Sequence, residues 1–155
     1  MWYFAYGSNM CAERLIQRVG KPKKVATGQL HGFRLVFNKL GDDCTDKGNV
    51  VSCEGEAVLG VLYDLTRKQL ADLDRYEGYP SHYERKKMPI EVGDAEGKMV
   101  EAWVYLARPS KIREGLKPTA KYVEFYIRGA KEHGLPEAFV KWLMTVETTA
   151  GEKGA

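Results

Sequence analysis

Strand-like and helix-like stretches alternate along this chain in an order that is neither regularly βαβ nor all-β. That order constrains the fold more than any other feature of the sequence. Residues 2–5 are aromatic-rich and stop at Tyr6-Gly7-Ser8-Asn9, a strand running into a turn. Residues 11–19 are helical in composition, with Ser8 or Asn9 as the expected cap, Glu13 near the positive dipole end and Gly20-Lys21-Pro22 as terminator. Residues 25–30 and 33–38 read as two strands joined near His31-Gly32, and residues 40–52 as a long polar surface loop. Residues 57–64 are the best candidate for a central strand. After them Thr66 and Gln69 form a capping box, Leu65 and Leu70 occupy the two positions of a hydrophobic staple, and Gly78 supplies a left-handed stop. Residues 88–92 and 99–107 make a hairpin around 93–97. Val100, Ala102, Val104 and Leu106 alternate there with Glu101, Trp103 and Tyr105, and Pro89 sets the first strand at an edge or bulge. Two helices close the chain, burying Val123, Ile127 and Ala130 on residues 119–133 and Phe139, Leu143 and Val146 after Pro136. The expected class is α+β: a small mixed, mostly antiparallel sheet curled toward a barrel, with flanking helices. One domain over residues 1–147 and a flexible tail over 148–155 are expected.

The 155 residues suffice for one domain with a core of its own, and 44% apolar with 29% charged residues argues against disorder. The net charge of +3, from 24 basic and 21 acidic side chains interspersed along the chain, is too mild for a nucleic-acid footprint. No export leader and no apolar run of membrane-spanning length is present, so the expected location is cytoplasmic, with no membrane and no nucleic-acid partner. Cys11, Cys44 and Cys53 are an odd set without CxxC spacing and are expected to be reduced. Oligomeric state is left open, a homodimer included.

Three constellations could carry chemistry. The turn Tyr6-Gly7-Ser8-Asn9-Met10 aims backbone N–H groups and a helix start at one spot, which favours an anionic ligand; the same residues also suit an ordinary helix cap. Glu77 falls on the helix face of Leu70 and Leu73, where partial desolvation would raise its pKa toward that of a working general base. The alternatives are a frayed end in water, or a salt bridge to Arg75 or Arg85. Tyr83, Tyr105 and Tyr122 sit on three different elements and bear on chemistry only if they converge on Glu77. Residues 43–54 fit a calcium loop poorly, with Thr45 and Lys47 at ligand positions. His31, His82 and His133 are scattered, which argues against zinc. No GxSxG, P-loop or dinucleotide fingerprint occurs, and Cys44 and Cys53 lack a clear histidine partner. A catalyst here is expected to work without metal, cofactor or protein nucleophile.

The combination of Tyr3-Phe4-Ala5-Tyr6-Gly7-Ser8-Asn9-Met10, Gly60-Val61-Leu62-Tyr63 and Leu73-Asp74-Arg75-Tyr76-Glu77-Gly78 resembles the γ-glutamylcyclotransferase family in order and spacing. Tyr122 followed by Gly129-Ala130-Lys131-Glu132-His133-Gly134-Leu135-Pro136 is similar to its C-terminal part. The resemblance implies a small barrel-like α+β domain. It also implies a cofactor-free enzyme that cyclises a γ-glutamyl group to 5-oxoproline and releases the attached amino acid or amine. By the same resemblance Glu77 matches the catalytic acid/base, the turn from Tyr6 to Met10 matches the loop holding the glutamyl moiety, and Tyr83, Tyr105 and Tyr122 match pocket positions.

Two departures bear on specificity. Gly48-Asn49-Val50-Val51-Ser52-Cys53 stands where many members have a glycine-rich stretch ending Asn-Ile-Val-Pro. The turn reads Gly-Ser-Asn, unlike the Gly-Ser-Leu of glutathione-specific relatives or the Gly-Thr-Leu of γ-glutamylamine relatives, which favours a γ-glutamyl amino acid or amine over glutathione. Two other readings stay open: a module that binds a γ-glutamyl or amino-acid ligand without turnover, and a cyclotransferase that removes a γ-glutamyl protecting group from a biosynthetic intermediate.

Overall fold

A computed structural model of the protein describes residues 1–149. Five strands, β1 (Trp2–Ala5), β2 (Val25–Leu40), β3 (Asp46–Asp64), β4 (Tyr83–Val92) and β5 (Met99–Ala107), form a closed barrel in the order β1-β3-β2-β4-β5. Four helices accompany them: α1 (Ala12–Val19), α2 (Arg67–Glu77), α3 (Ala120–Glu132) and α4 (Glu137–Met144). All strand pairs are antiparallel except β1 with β5, whose parallel contact at Trp2–Ala102 and Tyr3–Trp103 closes the barrel.

Period-two alternation builds two cores from the same strands. Phe4, Leu30, Val58, Leu62, Ile90, Ala102 and Val104 fill the barrel. Tyr3, Ala5, Val61, Tyr63 and Tyr105 point the other way and pack against Leu15, Leu73, Tyr126 and Leu143 of the helices. Gly60 lets β1 and β3 close together, because a Cβ there would lie 2.5 Å from the Ala5 carbonyl oxygen.

Helix α2 begins and ends where local chemistry demands. Thr66 accepts from the Gln69 N–H at 3.1 Å, the Gln69 side chain accepts from the Thr66 N–H at 2.9 Å, and Gly78 takes the left-handed conformation at φ 67°. Leu65, Leu70 and Leu73 are buried.

Several expectations are corrected. Residues 25–40 form one continuous strand, bent at Gly32 (φ 82°), where the register with β3 shifts between His31 and Phe33. The long loop over 40–52 does not exist: the turn is residues 41–45 and β3 starts at Asp46. Its polar residues hide their strand character because their partners lie far off in sequence. Asn49 donates to the Asn38 side chain at 3.0 Å and accepts from the Ala107 N–H at 3.0 Å. The calcium-loop template therefore runs from a tight turn into a strand. Neither Ser8 nor Asn9 caps α1; a 3-10 turn over Ser8–Met10 intervenes and Cys11 stands at the cap position.

Strand β4 starts at Tyr83, before the expected 88. Pro89 faces Glu101 of β5, and β2 meets β4 only at Glu91 and Val92, so the proline takes no ladder bond from a second neighbour. Val123, Ala130 and Leu143 are buried as expected, Ile127, Phe139 and Val146 are half-buried, and Val140 takes the remaining buried place on α4. Of the expected tail, residues 150–155 lie outside the described residues, while the Thr149 N–H donates to the Pro118 carbonyl at 3.0 Å. No described helix is long and apolar enough to cross a membrane.

Candidate active site

Strand β1 ends at the rim of a cavity of about 440 Å³ and hands the chain to the Gly7-Ser8-Asn9 turn, which forms one wall. The first N–H groups of such a turn have no partner within it. Helix α2 supplies Glu77 in its last position, on the face of buried Leu70 and Leu73. Tyr6, Tyr83, Tyr105 and Tyr122 also line the cavity, so the three tyrosines picked from separate elements converge with Glu77. Met10 does not line it. That side chain is fully buried beneath the turn, where Gly129 leaves room for it, and its carbonyl accepts from Tyr63 at 3.1 Å and meets His133 Nε2 at 3.0 Å.

Burial pushes the Glu77 carboxyl above the ordinary carboxylate range, while the charges of Arg18, Lys39 and Arg14 and a hydrogen bond from Asn9 pull it back. The Asn9 amide nitrogen donates to Glu77 Oε1 at 3.1 Å and to the Tyr3 hydroxyl at 3.1 Å, and its carbonyl oxygen accepts from Arg18 Nη1 at 3.3 Å. Neither rival reading of Glu77 fits: α2 stays intact through Glu77, with the Gly78 N–H donating to the Arg75 carbonyl, and Glu77 pairs with neither Arg75 nor Arg85 among the described residues, Arg85 giving its bonds to Asp74 at 2.9 and 3.1 Å. The result is a carboxylate held by one neutral amide, with three cations nearby but none paired to it among the described residues.

The tyrosines act as wall and scaffold. Tyr6 donates to the Tyr105 carbonyl at 2.7 Å, Tyr105 to Asp74 at 2.6 Å and Tyr83 to the Gly48 carbonyl at 2.6 Å. Tyr122 accepts from the Gly48 N–H at 3.0 Å and bonds Tyr126 at 2.9 Å. Burial raises the pKa of all of them, so they stay neutral.

The sequence reading missed Tyr3, Arg14, Arg18, Lys39, His82 and Tyr126, all of which line the cavity. A signal existed for three of them. Arg14 and Arg18 are four apart on the helix after the turn, and Tyr126 is four beyond Tyr122, so each pair shares a helix face. Arg14 Nε reaches back to Ser8 Oγ at 3.1 Å. Nothing local marks Lys39 or His82. Arrangements of this kind, with a desolvated carboxylate facing a cavity fringed by cations, suit proton transfer on a small anionic substrate.

Residues 3–124 match the family described as gamma-glutamyl cyclotransferase, AIG2-like. The chain is 31% identical to a human gamma-glutamylcyclotransferase over 150 residues, 94% of this chain and 78% of that protein. It is 30% identical to the bovine gamma-glutamylcyclotransferase over 152 residues, with the same shares covered. A solved gamma-glutamyl cyclotransferase structure superposes with a TM-score of 0.86 at 26% identity, covering 96% of this chain and 89% of the other. On this evidence the chain belongs to the gamma-glutamyl cyclotransferase, AIG2-like family and is an enzyme of the gamma-glutamylcyclotransferase type.

Proposed function

We propose that the cavity takes a γ-glutamyl compound, that the turn from Tyr6 to Asn9 grips its glutamyl part, and that Glu77 serves as general acid/base in its cyclisation to 5-oxoproline. The observation that carries this is the state of Glu77: desolvated, facing the cavity, unpaired with any cation among the described residues, and oriented by Asn9. In the reaction the α-amino nitrogen attacks the γ-carbonyl carbon, a C–N bond closes the five-membered ring, and the C–N bond to the attached amine breaks. Glu77 takes a proton from the attacking ammonium and returns it to the departing nitrogen. Holding the glutamyl chain bent supplies the proximity that makes the attack intramolecular, so no serine or cysteine is needed. The N–H groups at the start of the turn, with Arg14 and Arg18 behind them, suit the substrate carboxylate or the developing oxyanion.

The test is 5-oxoproline release from a panel of γ-glutamyl amino acids, γ-glutamyl amines and glutathione, with Glu77→Gln beside the wild type. Glu77→Gln is expected to lose about 10²-fold or more in kcat while still binding substrate. Near-wild-type turnover in that variant would remove Glu77 from the mechanism. Ligand binding without turnover in the wild type would favour the binding module.

A further inference from the structure

Of the charged cavity-lining residues that the cyclisation itself leaves without a task, Lys39 is the buried one among the described residues. It sits in β2 and is only 6% exposed. Its ammonium lies 2.8 Å from His82 Nδ1 and 5.1 Å from the centre of the Tyr83 ring, and it forms no ion pair with a carboxylate among the described residues. Neither nearby acid of the 41–45 turn pairs with it: Asp43 holds Lys47 at 3.2 Å, and the exposed Asp42 lies 3.7 Å from His82 Nε2 and acts on Lys39 only through its field. An ammonium can only donate, so His82 Nδ1 must accept, which leaves the imidazole neutral with its proton on Nε2, facing Asp42. Burial and the neighbouring charges of Lys39 and Lys111 favour that neutral form. A buried cation with only a neutral partner is costly, and one that opens into a cavity is completed by an anionic ligand.

The cavity has a second cationic wall. Arg14 and Arg18 enter from α1 and are tied to Ser8 and Asn9 of the turn, whereas Lys39 enters from β2 beside the 41–45 turn. With the glutamyl part at the turn, the β2 side is left for the departing amine. We propose that Lys39 is a specificity-determining residue that receives a carboxylate borne by the leaving group. The inference rests on the cyclotransferase reading above. A leaving amino acid or peptide then gains a charge-assisted hydrogen bond that a simple amine lacks.

The experiment compares kcat/KM for γ-glutamylalanine, γ-glutamylethylamine and glutathione in the wild type, Lys39→Met and Lys39→Gln. γ-Glutamylethylamine lacks the carboxylate of γ-glutamylalanine, and glutathione carries one farther from the scissile bond. Both variants are expected to lower the ratio of γ-glutamylalanine to γ-glutamylethylamine by about 10- to 100-fold, mostly through KM. Collapse of the glutathione-to-ethylamine ratio instead would place the same contact on the more distant carboxylate. A ratio that stays constant for both acids, even if overall activity falls, overturns the proposal, because a structural role or an effect through Glu77 moves all three substrates together. Lys39→Gln keeps a donor toward His82 and guards against a folding defect in Lys39→Met. Absence of 5-oxoproline from every compound with the wild type would overturn the parent reading instead.

Discussion

Asn9 joins the turn to the helix: its amide donates to Glu77 and its oxygen receives Arg18, so one side chain sets both the orientation and the field of the carboxylate. The consequence is a pH profile. In the proposed reaction Glu77 must be ionised to accept the ammonium proton, so kcat/KM is expected to fall as pH drops through its pKa, and burial places that acid limb above the ordinary value of 4.5. Arg18 works in the opposite direction by favouring the ionised form. Arg18→Met is therefore expected to move the acid limb to higher pH, and Arg18→Lys to move it less. A pH–rate profile of the two variants checks this; an unmoved limb in Arg18→Met would mean that Arg18 does not act on Glu77.

Among the elements, α2 and the β2–β3 hairpin differ in how they are specified. Helix α2 was legible because its cap, staple positions and left-handed stop all lie between Leu65 and Gly78, so local preferences agree. The hairpin was not legible from residue 40 onward, because Asn49 is satisfied by Asn38 and Ala107. Such strand residues read as loop until their partners are known. Gly48 shows how tightly the hairpin is coupled to α3. A Cβ there would lie 2.0 Å from the Tyr126 hydroxyl oxygen, while both backbone polar groups of Gly48 bond cavity tyrosines. Gly48→Ala is expected to cost about 1–3 kcal/mol in chemical denaturation. Tyr126→Phe removes the clashing oxygen and should recover part of that cost in the double variant, a coupling that a mutant cycle measures.

For the molecule as a whole, the hairpin tip must also meet the segment that follows β5. Asp46 is 1% exposed and its N–H donates to the Lys117 carbonyl at 3.1 Å, yet neither carboxylate oxygen has a hydrogen-bond partner among the described residues. Burial, reinforced by Glu114 and opposed by Arg113, raises its pKa from 3.8 to about 6. A folded-state pKa above the unfolded one favours folding at low pH, and that contribution is lost as pH rises from about 4 through 6. Asp46→Asn should therefore raise Tm at pH 7.5 and leave it nearly unchanged at pH 4. Equal Tm differences at both pH values would show that Asp46 is not titrating across that window.

The sequence by itself determined the α+β class, the boundaries of α2 set by its capping box and Gly78, the turn after β1, and the presence of Glu77 on an apolar helix face. Each of these is written in residues that are near neighbours along the chain, where backbone preference and side-chain periodicity act directly. Only the tertiary structure decided that residues 40–52 belong mostly to a hairpin, that Met10 turns into the core, and that Arg14, Arg18, Lys39 and His82 share a cavity with Glu77. Closing the barrel brings β2 and the start of β4 to the end of β1, and burial then sets the charge states. Both are effects of contacts between distant residues, and the field at a carboxylate depends on what surrounds it in space.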